Sequence, residues 1–329
     1  MSEQSSWQIQ RQLLQYLSDG QFYSGSWLGQ QLGLSRTAIA NHMQQLQQLG
    51  LDIFSVKGKG YRLASPLQLL DSAAIRQWQS NESAPIEVLS ITDSTNLQLM
   101  QRLQQGEQLP KGLVLVAEAQ TAGRGRHGRA WYSPFAASLS FSMVWQLEQG
   151  IQAAMGLSLV IGVAVAELLE QQYQLQVGLK WPNDIYLQGK KLAGVLIELS
   201  GQSDGRCQLV IGIGINVQLS AAQAAESIDQ PWIDLTTAYG PLDRNRLVAG
   251  LQSSCTEHLQ RFEQSGFAAF QAAFNRRQLF MQQPVRLTQG QQVVRGICHG
   301  VDAQGNLVIE SQGKKQLFHG GELSLRAEN

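Results

Sequence analysis

Residues 120–134 read QTAGRGRHGRAWYSP. Arg124, Arg126, His127 and Arg129 stand within six residues, interleaved with Gly123, Gly125 and Gly128, and the stretch contains no acid. Apolar runs flank the stretch, LVLVAEA before it and SLSFSMVW after it, so it is a loop set between strands and not a disordered RGG-like tail. A dinucleotide-binding G-x-G-x-x-G opens a helix, whereas here Trp131, Tyr132, Ser133 and Pro134 follow, and no GK[ST] completes a phosphate loop. In an extended segment Arg124 and Arg126 are about 7 Å apart on one side. Their repulsion is about 2 kcal/mol at an effective dielectric of 20 and about 0.6 in water. The loop is therefore open and solvated at little cost and closes only around an anion. The expectation is a loop that is mobile when empty and ordered when occupied.

Outward from this loop, β-branched runs alternate with helices from about residue 85: IEVLSIT, LVLVAEA, SLSFSMVW, GVLIEL and LVIGIGINV, with helices near 95–105, 153–172 and 243–274. This is an α/β or α+β unit large enough for its own core. Polar groupings interrupt it. TDSTN (92–96) joins a strand to a helix, where Ser94 or Thr95 serves equally well as a plain N-cap. KWPND (180–184) is a turn by composition. GKKLAG places Lys190 and Lys191 at the mouth of an apolar strand, and GIGIN (212–216) puts two glycines inside a strand, which lets a ligand or another backbone approach. Each is weak alone.

At the N-terminal side, Trp7, Ile9, Leu13, Leu14 and Leu17 recur at helical spacing. A second helix is expected from about Ser26 to Leu32, a turn at Gly33, and a third helix capped by Ser35 with Ile39, Met43 and Leu46 as its core stripe. Ser35, Arg36, Thr37 and Asn41 remain exposed on that helix, as on a recognition helix presented to a major groove. LDIFSVKGKGYRLA then reads as a hairpin with Lys57 and Lys59 at its tip, suited to phosphate contacts. Helix-turn-helix plus basic hairpin is a winged helix. A helical hairpin used for protein contacts is the plain alternative. Residues 1–66 carry five Lys/Arg against three Asp/Glu, so one copy binds DNA weakly and a dimer spanning two half-sites is expected.

The chain of 329 residues suggests two or three domains, and its formal net charge of zero excludes whole-chain attraction to nucleic acid or membrane. Cys207, Cys255 and Cys298 have no CxxC pairing, which argues for reduced thiols and against a zinc site. No apolar signal segment opens the chain, and the longest apolar run, 153–166, is too short to cross a bilayer and reads as a buried helix, so a cytoplasmic protein without membrane contact is expected. After about residue 277, short alternating strands with turn signals at Gly290, Gly305 and Gly313 indicate a small β-barrel.

Taken together and in order, DSTN, QTAGRGRHGRAW, KWPNDIYLQGKKLAGVLIEL and VIGIGINV closely resemble the biotin protein ligases, and the winged helix in front resembles their bifunctional form, which also represses the biotin operon. The resemblance covers essentially the whole chain. It implies an α+β multidomain protein: a winged helix-turn-helix over 1–66, a catalytic domain over 67–276 similar to class II aminoacyl-tRNA synthetases, and an SH3-like domain over 277–329. It implies biotin and ATP as substrates with Mg²⁺, activation to biotinyl-5′-AMP, and transfer to one lysine of the biotin carboxyl carrier protein of acetyl-CoA carboxylase. Operator DNA and a homodimer promoted by biotinyl-5′-AMP are the further partners it implies.

Carried across by motif, Ser94, Thr95, Asn96 and Gln120 would contact biotin, with Gly123, Gly212 and Gly214 allowing close approach. Arg124 and Arg126 would close over the adenylate. Lys191 and Arg126 would lie at the carboxylate–phosphate junction, with Lys191 the catalytic cation. Arg129, Trp131, Asn183 and Asn216 would contact the nucleotide, with Trp131 on adenine. Asp184 would orient the lysine nucleophile or Mg²⁺, and no metal ligand is assigned with certainty. Ser35, Arg36, Thr37, Asn41, Lys57 and Lys59 would contact DNA. Glu322 and Arg326 fall in the matching C-terminal tail. His127 departs from the family, which carries an arginine there, and this puts loop charge in question. Lipoate ligases and octanoyl transferases are the nearest alternatives, and the intact GRGRHGR and KWPND argue against them. A regulator without catalysis is disfavoured by Lys191 and Arg126, and a ligase whose winged helix no longer binds DNA stays open.

Overall fold

The computed structural model describes residues 3–148, 156–203, 206–289, 292–319 and 323–327. Three helices open the chain: α1 (Glu3–Leu17), α2 (Gly25–Leu32) and α3 (Arg36–Gln48). The Ser24 and Ser35 hydroxyls accept the first-turn N–H groups of Trp27 and Ala38, which defines where α2 and α3 begin. Gly33 ends α2 in the left-handed conformation at φ 66. Leu13, Leu14, Leu17, Leu28, Ile39, Met43 and Leu46 are buried in one cluster, as the helical spacing predicts. The hairpin β1 (Ile53–Val56) and β2 (Gly60–Leu63) follows, with exposed Lys57 and Lys59 in its turn.

The central unit comprises α4 (Ser72–Arg76), β3 (Ile86–Thr92), α5 (Thr95–Gln104), β4 (Val114–Gln120), β5 (Ser138–Leu147), α6 (Leu157–Tyr173), β6 (Gly178–Lys180), β7 (Asp184–Leu187), β8 (Lys190–Ser203), β9 (Arg206–Asn216), α7 (Ala221–Ser227), α8 (Leu235–Tyr239), α9 (Arg244–Ser265) and α10 (Gln271–Arg277). Its seven strands form one sheet in the order β3-β4-β5-β9-β8-β7-β6, with β3 and β4 parallel and the other pairs antiparallel. The apolar α6 belongs to the main core with α9 and with Phe141, Ile211, Ile213 and Val195 of the sheet. Helix α5 packs Leu99 and Leu103 in a separate cluster with Leu115, Val144 and Val210. The expected single helix over 243–274 is corrected: α9 stops at Ser265, because Gly266 turns the chain at φ 62 before a short 3-10 turn and α10. Within the expected helix over 153–172, description resumes at Gly156, and α6 begins at Leu157.

The C-terminal strands β10 (Pro284–Gln289), β11 (Gln292–Val301), β12 (Leu307–Ser311), β13 (Lys314–Phe318) and β14 (Leu323–Ala327) make an antiparallel sheet in the order β13-β12-β11-β10-β14. Among the described residues no pairing joins β13 to β14, so what is recorded is a sheet and not a closed barrel. Gly290 and Glu322 lie outside the described residues. Val285, Leu287, Cys298, Leu307 and Ile309 share the main core with the central unit, and the Trp181 indole N–H donates to the Gly305 carbonyl at 3.1 Å.

The front of the molecule is also anchored. Trp7 packs on Phe135 with ring centroids 5.3 Å apart, and Ala119, Phe135 and Ala136 belong to the winged-helix cluster. Residues 68–71, between the two units, are held by a buried ion pair. Arg244 meets Glu118 at 2.7 Å with side chains only 4% and 3% exposed, and it also donates to the Gln68 and Ser138 carbonyls. Glu118 accepts the Leu70 N–H, and Asn245 accepts the Asp71 N–H.

Candidate active site

The floor of the site follows from strand periodicity. Successive side chains of a strand face opposite ways. In SLSFSMVW the serines take one face, and Leu139, Phe141 and Met143 point into the core. In GIGIN the isoleucines are buried and the glycines share the serine face. Register places Ser142 beside Gly212 beside Leu196, and Ser140 beside Gly214 beside Gly194. Three adjacent strands thus present one row of small residues, Ser140, Gly214 and Gly194, beside a second in which only Leu196 is large, a shallow depression in the sheet.

Two side chains lie on it. Asn96 rests over Gly212, where a Cβ would run into its amide, and the Trp131 ring lies over Gly214, where a Cβ would run into the indole. Expected to admit a ligand, these glycines admit the protein's own Asn96 and Trp131. The Trp131 indole nitrogen is buried without a hydrogen-bond partner. Around Asn96 a polar chain is complete. Ser142 donates to the Asn96 carbonyl oxygen at 2.6 Å, the Thr95 and Ser142 hydroxyls are 2.7 Å apart, and the Thr95 N–H donates to Gln120 at 2.8 Å. Ser94 caps α5, so its plain structural reading holds in this structure.

The walls carry charge. A cavity of about 1100 Å³ brings together Ser94, Thr95, Asn96, Gln120, Arg124, Arg126, Arg129, Trp131, Asn183, Asp184, Lys191, Gly212, Gly214 and Asn216. Six cationic residues line it (Arg124, Arg126, Arg129, Lys180, Lys191 and Arg326) against the carboxylates Asp184 and Asp229. In a chain of zero net charge this is a local excess of cationic residues among the described ones. Lys191 pairs with Asp184 at 2.8 Å and lies 5.6 Å from the Trp131 ring centroid. Arg126 donates to Asn183 at 3.1 Å, and burial pushes its guanidinium below the usual arginine range against the pull of Asp184. Asn216 donates to the Lys191 carbonyl at 3.3 Å and to that of Ile233 at 3.1 Å, so it holds the strand bearing Lys191. Gly123 does not line the cavity. Its carbonyl accepts the Trp131 N–H at 2.8 Å and pins the base of the loop.

The arginine loop lines the cavity and carries contacts of its own. The Arg124 guanidinium meets Glu198 of β8 at 3.0 Å, and the Gly125 N–H donates to the Arg129 carbonyl at 2.7 Å. Residues 126–128 form a 3-10 turn in which His127 adopts φ 58, a left-handed conformation, with its side chain exposed. Of the proposed DNA contacts, Ser35, Arg36, Thr37, Asn41, Lys57 and Lys59 are all exposed, and they sit on the winged helix apart from the cavity.

Sequence reasoning missed several lining residues. Ser140 and Ser142 were signalled by the alternation of SLSFSMVW. Lys180 opens KWPND, and burial lowers its ammonium pKa, with Asp184 opposing and Lys191, Arg326 and Arg129 reinforcing the effect. Its Nζ lies 3.4 Å from the Tyr186 hydroxyl, whose pKa burial pushes up to about 12. Residues 227–232 line the cavity because the Lys191 N–H donates to the Pro231 carbonyl, a pairing with no local sequence signal.

A winged front unit and a cationic, glycine-floored cavity define a ligand-activating enzyme joined to a helix-turn-helix module, and the comparisons agree. The profile described as the biotin/lipoate A/B protein ligase family matches residues 88–216, an HTH domain profile matches 9–62, and the biotin protein ligase C-terminal domain profile matches 282–326. The chain is 45% identical over 315 residues to the bifunctional ligase/repressor BirA of Salmonella typhimurium, covering 96% of this chain and 97% of that one, and 45% identical to the Escherichia coli BirA over 96% of each. The biotin protein ligase from Aquifex aeolicus, solved with biotin and ATP, superposes with a TM-score of 0.64 at 30% identity, covering 74% of this chain and 99% of that one. The chain belongs to the biotin protein ligase family, in its bifunctional ligase/repressor form.

Proposed function

We propose that this protein activates biotin with ATP and transfers it to a lysine of a biotin carboxyl carrier protein, and that its winged helix represses biotin-synthesis genes. The carrying observation is the convergence of Arg126, Lys191 and Lys180 on one cavity whose floor is largely glycine and serine. In the first step the biotin carboxylate attacks the α-phosphate of ATP, and pyrophosphate leaves. Both reactants are anionic, so fixed cations where charge develops lower the barrier. Arg126 and Lys191 supply them, and each charge-assisted hydrogen bond contributes about 1.5–3 kcal/mol. In the second step the carrier amine attacks the acyl carbon and AMP leaves. The folded loop keeps water from the mixed anhydride between the steps.

Asn96, Thr95, Gln120 and Ser94 form the biotin end with the glycine floor, and Trp131, Arg129, Asn183 and Asn216 the nucleotide end. Among the described residues no cluster of three potential metal ligands occurs, and Asp184 offers one carboxylate near the cations. One carboxylate fits Mg²⁺ carried on phosphates better than a protein cage. The working division is 1–66, 67–276 and 277–329. Arg326 and Leu325, which reach the cavity from β14, support participation of the last unit in ATP and carrier engagement. Operator contacts fall to Arg36 and the Lys57/Lys59 wing. Occupancy by biotinyl-5′-AMP promotes homodimerisation and DNA binding by linkage.

The test is incubation with biotin, ATP and Mg²⁺ and a carrier domain, read by mass. Gain of one biotinyl group on a lysine is expected. Transfer of octanoate or lipoate in its place overturns the reading.

A further inference from the structure

Glu198 lies on β8 two residues beyond Leu196 and four beyond Gly194, hence on the same face as the small-residue floor. It lies within the GVLIEL run, and no role was assigned to it there. Its two carboxylate oxygens serve different partners. Oε1 meets Arg124 of the loop at 3.0 Å, and Oε2 accepts from the Asn96 amide at 3.0 Å. The Asn96 carbonyl oxygen accepts from Ser142, whose hydroxyl oxygen accepts from the Thr95 hydroxyl, and the Thr95 N–H donates to Gln120. One carboxylate therefore joins the lid to the floor.

We infer that Glu198 is a positioning residue for the ligase reaction, holding the arginine loop closed and orienting the Asn96 amide at the biotin end. Charge supports the assignment. The Arg124 side chain is 45% exposed and Glu198 18%, so the pair stabilises the fold little but decides where the loop rests. Both Arg124 and Lys191 carry a carboxylate partner, Glu198 and Asp184, but only Glu198 also holds the Asn96 amide of the floor. The Asn96 amide is also fixed in sense: its NH₂ faces the Glu198 acceptor, so its carbonyl oxygen faces the Ser142 hydroxyl.

The inference rests on the ligase reading, and its test separates the two. Glu198→Gln keeps the shape and removes the charge. In ligand-free protein, trypsin cleavage after Arg124, Arg126 or Arg129 accelerates severalfold in Glu198→Gln, and no change in cleavage overturns the inference whatever the enzyme's substrate. In the full chain with biotin, ATP and Mg²⁺, Glu198→Gln raises the KM for biotin about tenfold and speeds loss of the bound adenylate, with kcat of adenylation within about threefold. A fall in kcat at unchanged KM overturns it. Arg124→Gln approaches the contact from the exposed side, where folding is not at risk. The double variant is no worse than Glu198→Gln alone, since that change already removes the contact with Arg124, and additive effects overturn the proposal. A wild-type protein that forms no adenylate sinks the ligase reading and leaves the cleavage result standing.

Discussion

Two glutamate–arginine pairs divide the labour of this molecule. Glu118–Arg244 is sealed, with side chains 3% and 4% exposed and three backbone partners around it. Arg124–Glu198 is at the cavity rim, its arginine 45% exposed and its glutamate shared with an amide. The first has no alternative partner, because water does not reach it, and breaking it strands a buried charge. The second exchanges with solvent or ligand at little cost. Burial, not ion-pair chemistry, separates a permanent clamp from a latch.

This contrast predicts a ranking. Arg244→Met, which leaves Glu118 charged and alone, should cost about 3–5 kcal/mol in denaturant unfolding, and adding Glu118→Gln should restore part of it. A loss below about 1 kcal/mol would put the pair in the same category as the latch. Lys191→Ala should cut adenylation about 10²–10³-fold with a thermal midpoint near that of the wild type, as expected for a cation used in the reaction more than in the fold. Full activity would remove Lys191 from its role. Arg124→Gln should change unfolding free energy by about 0–1 kcal/mol, so a large loss would erase the distinction drawn here.

The smallest effect concerns Lys180. Its folded pKa is depressed, so the unfolded chain binds more protons between the folded value and the ordinary lysine range, and the penalty is fully present below the folded value. Lys180→Met should therefore raise the melting temperature near neutral pH. That gain should shrink as pH rises towards the ordinary lysine range, and a pH-independent difference would refute the cause.

What was legible in the sequence was local. Ser35 as a cap, Gly33 as a turn and the Ile39/Met43/Leu46 stripe rest on contacts within a few residues, and each took its expected place. The arginine loop was legible as a concentration of positive charge, because residues 120–134 contain no acid. Its partner Glu198 comes from a distant strand, so the loop's rest position was not legible. Glu118 offered a usable signal: a carboxylate inside LVLVAEA, a strand buried throughout, demands a buried cation, though nothing marked Arg244 as the one. Gly266 carried the break after α9 in plain view, whereas barrel closure depends on strand pairings that turn glycines do not specify.

The clamp on residues 68–71 has a geometric consequence. With that segment hydrogen-bonded to Glu118, Arg244 and Asn245, and Trp7 seated on Phe135, the recognition helix has no free tether. In any pair of copies, the distance between the two recognition helices is then inherited from how the catalytic units meet.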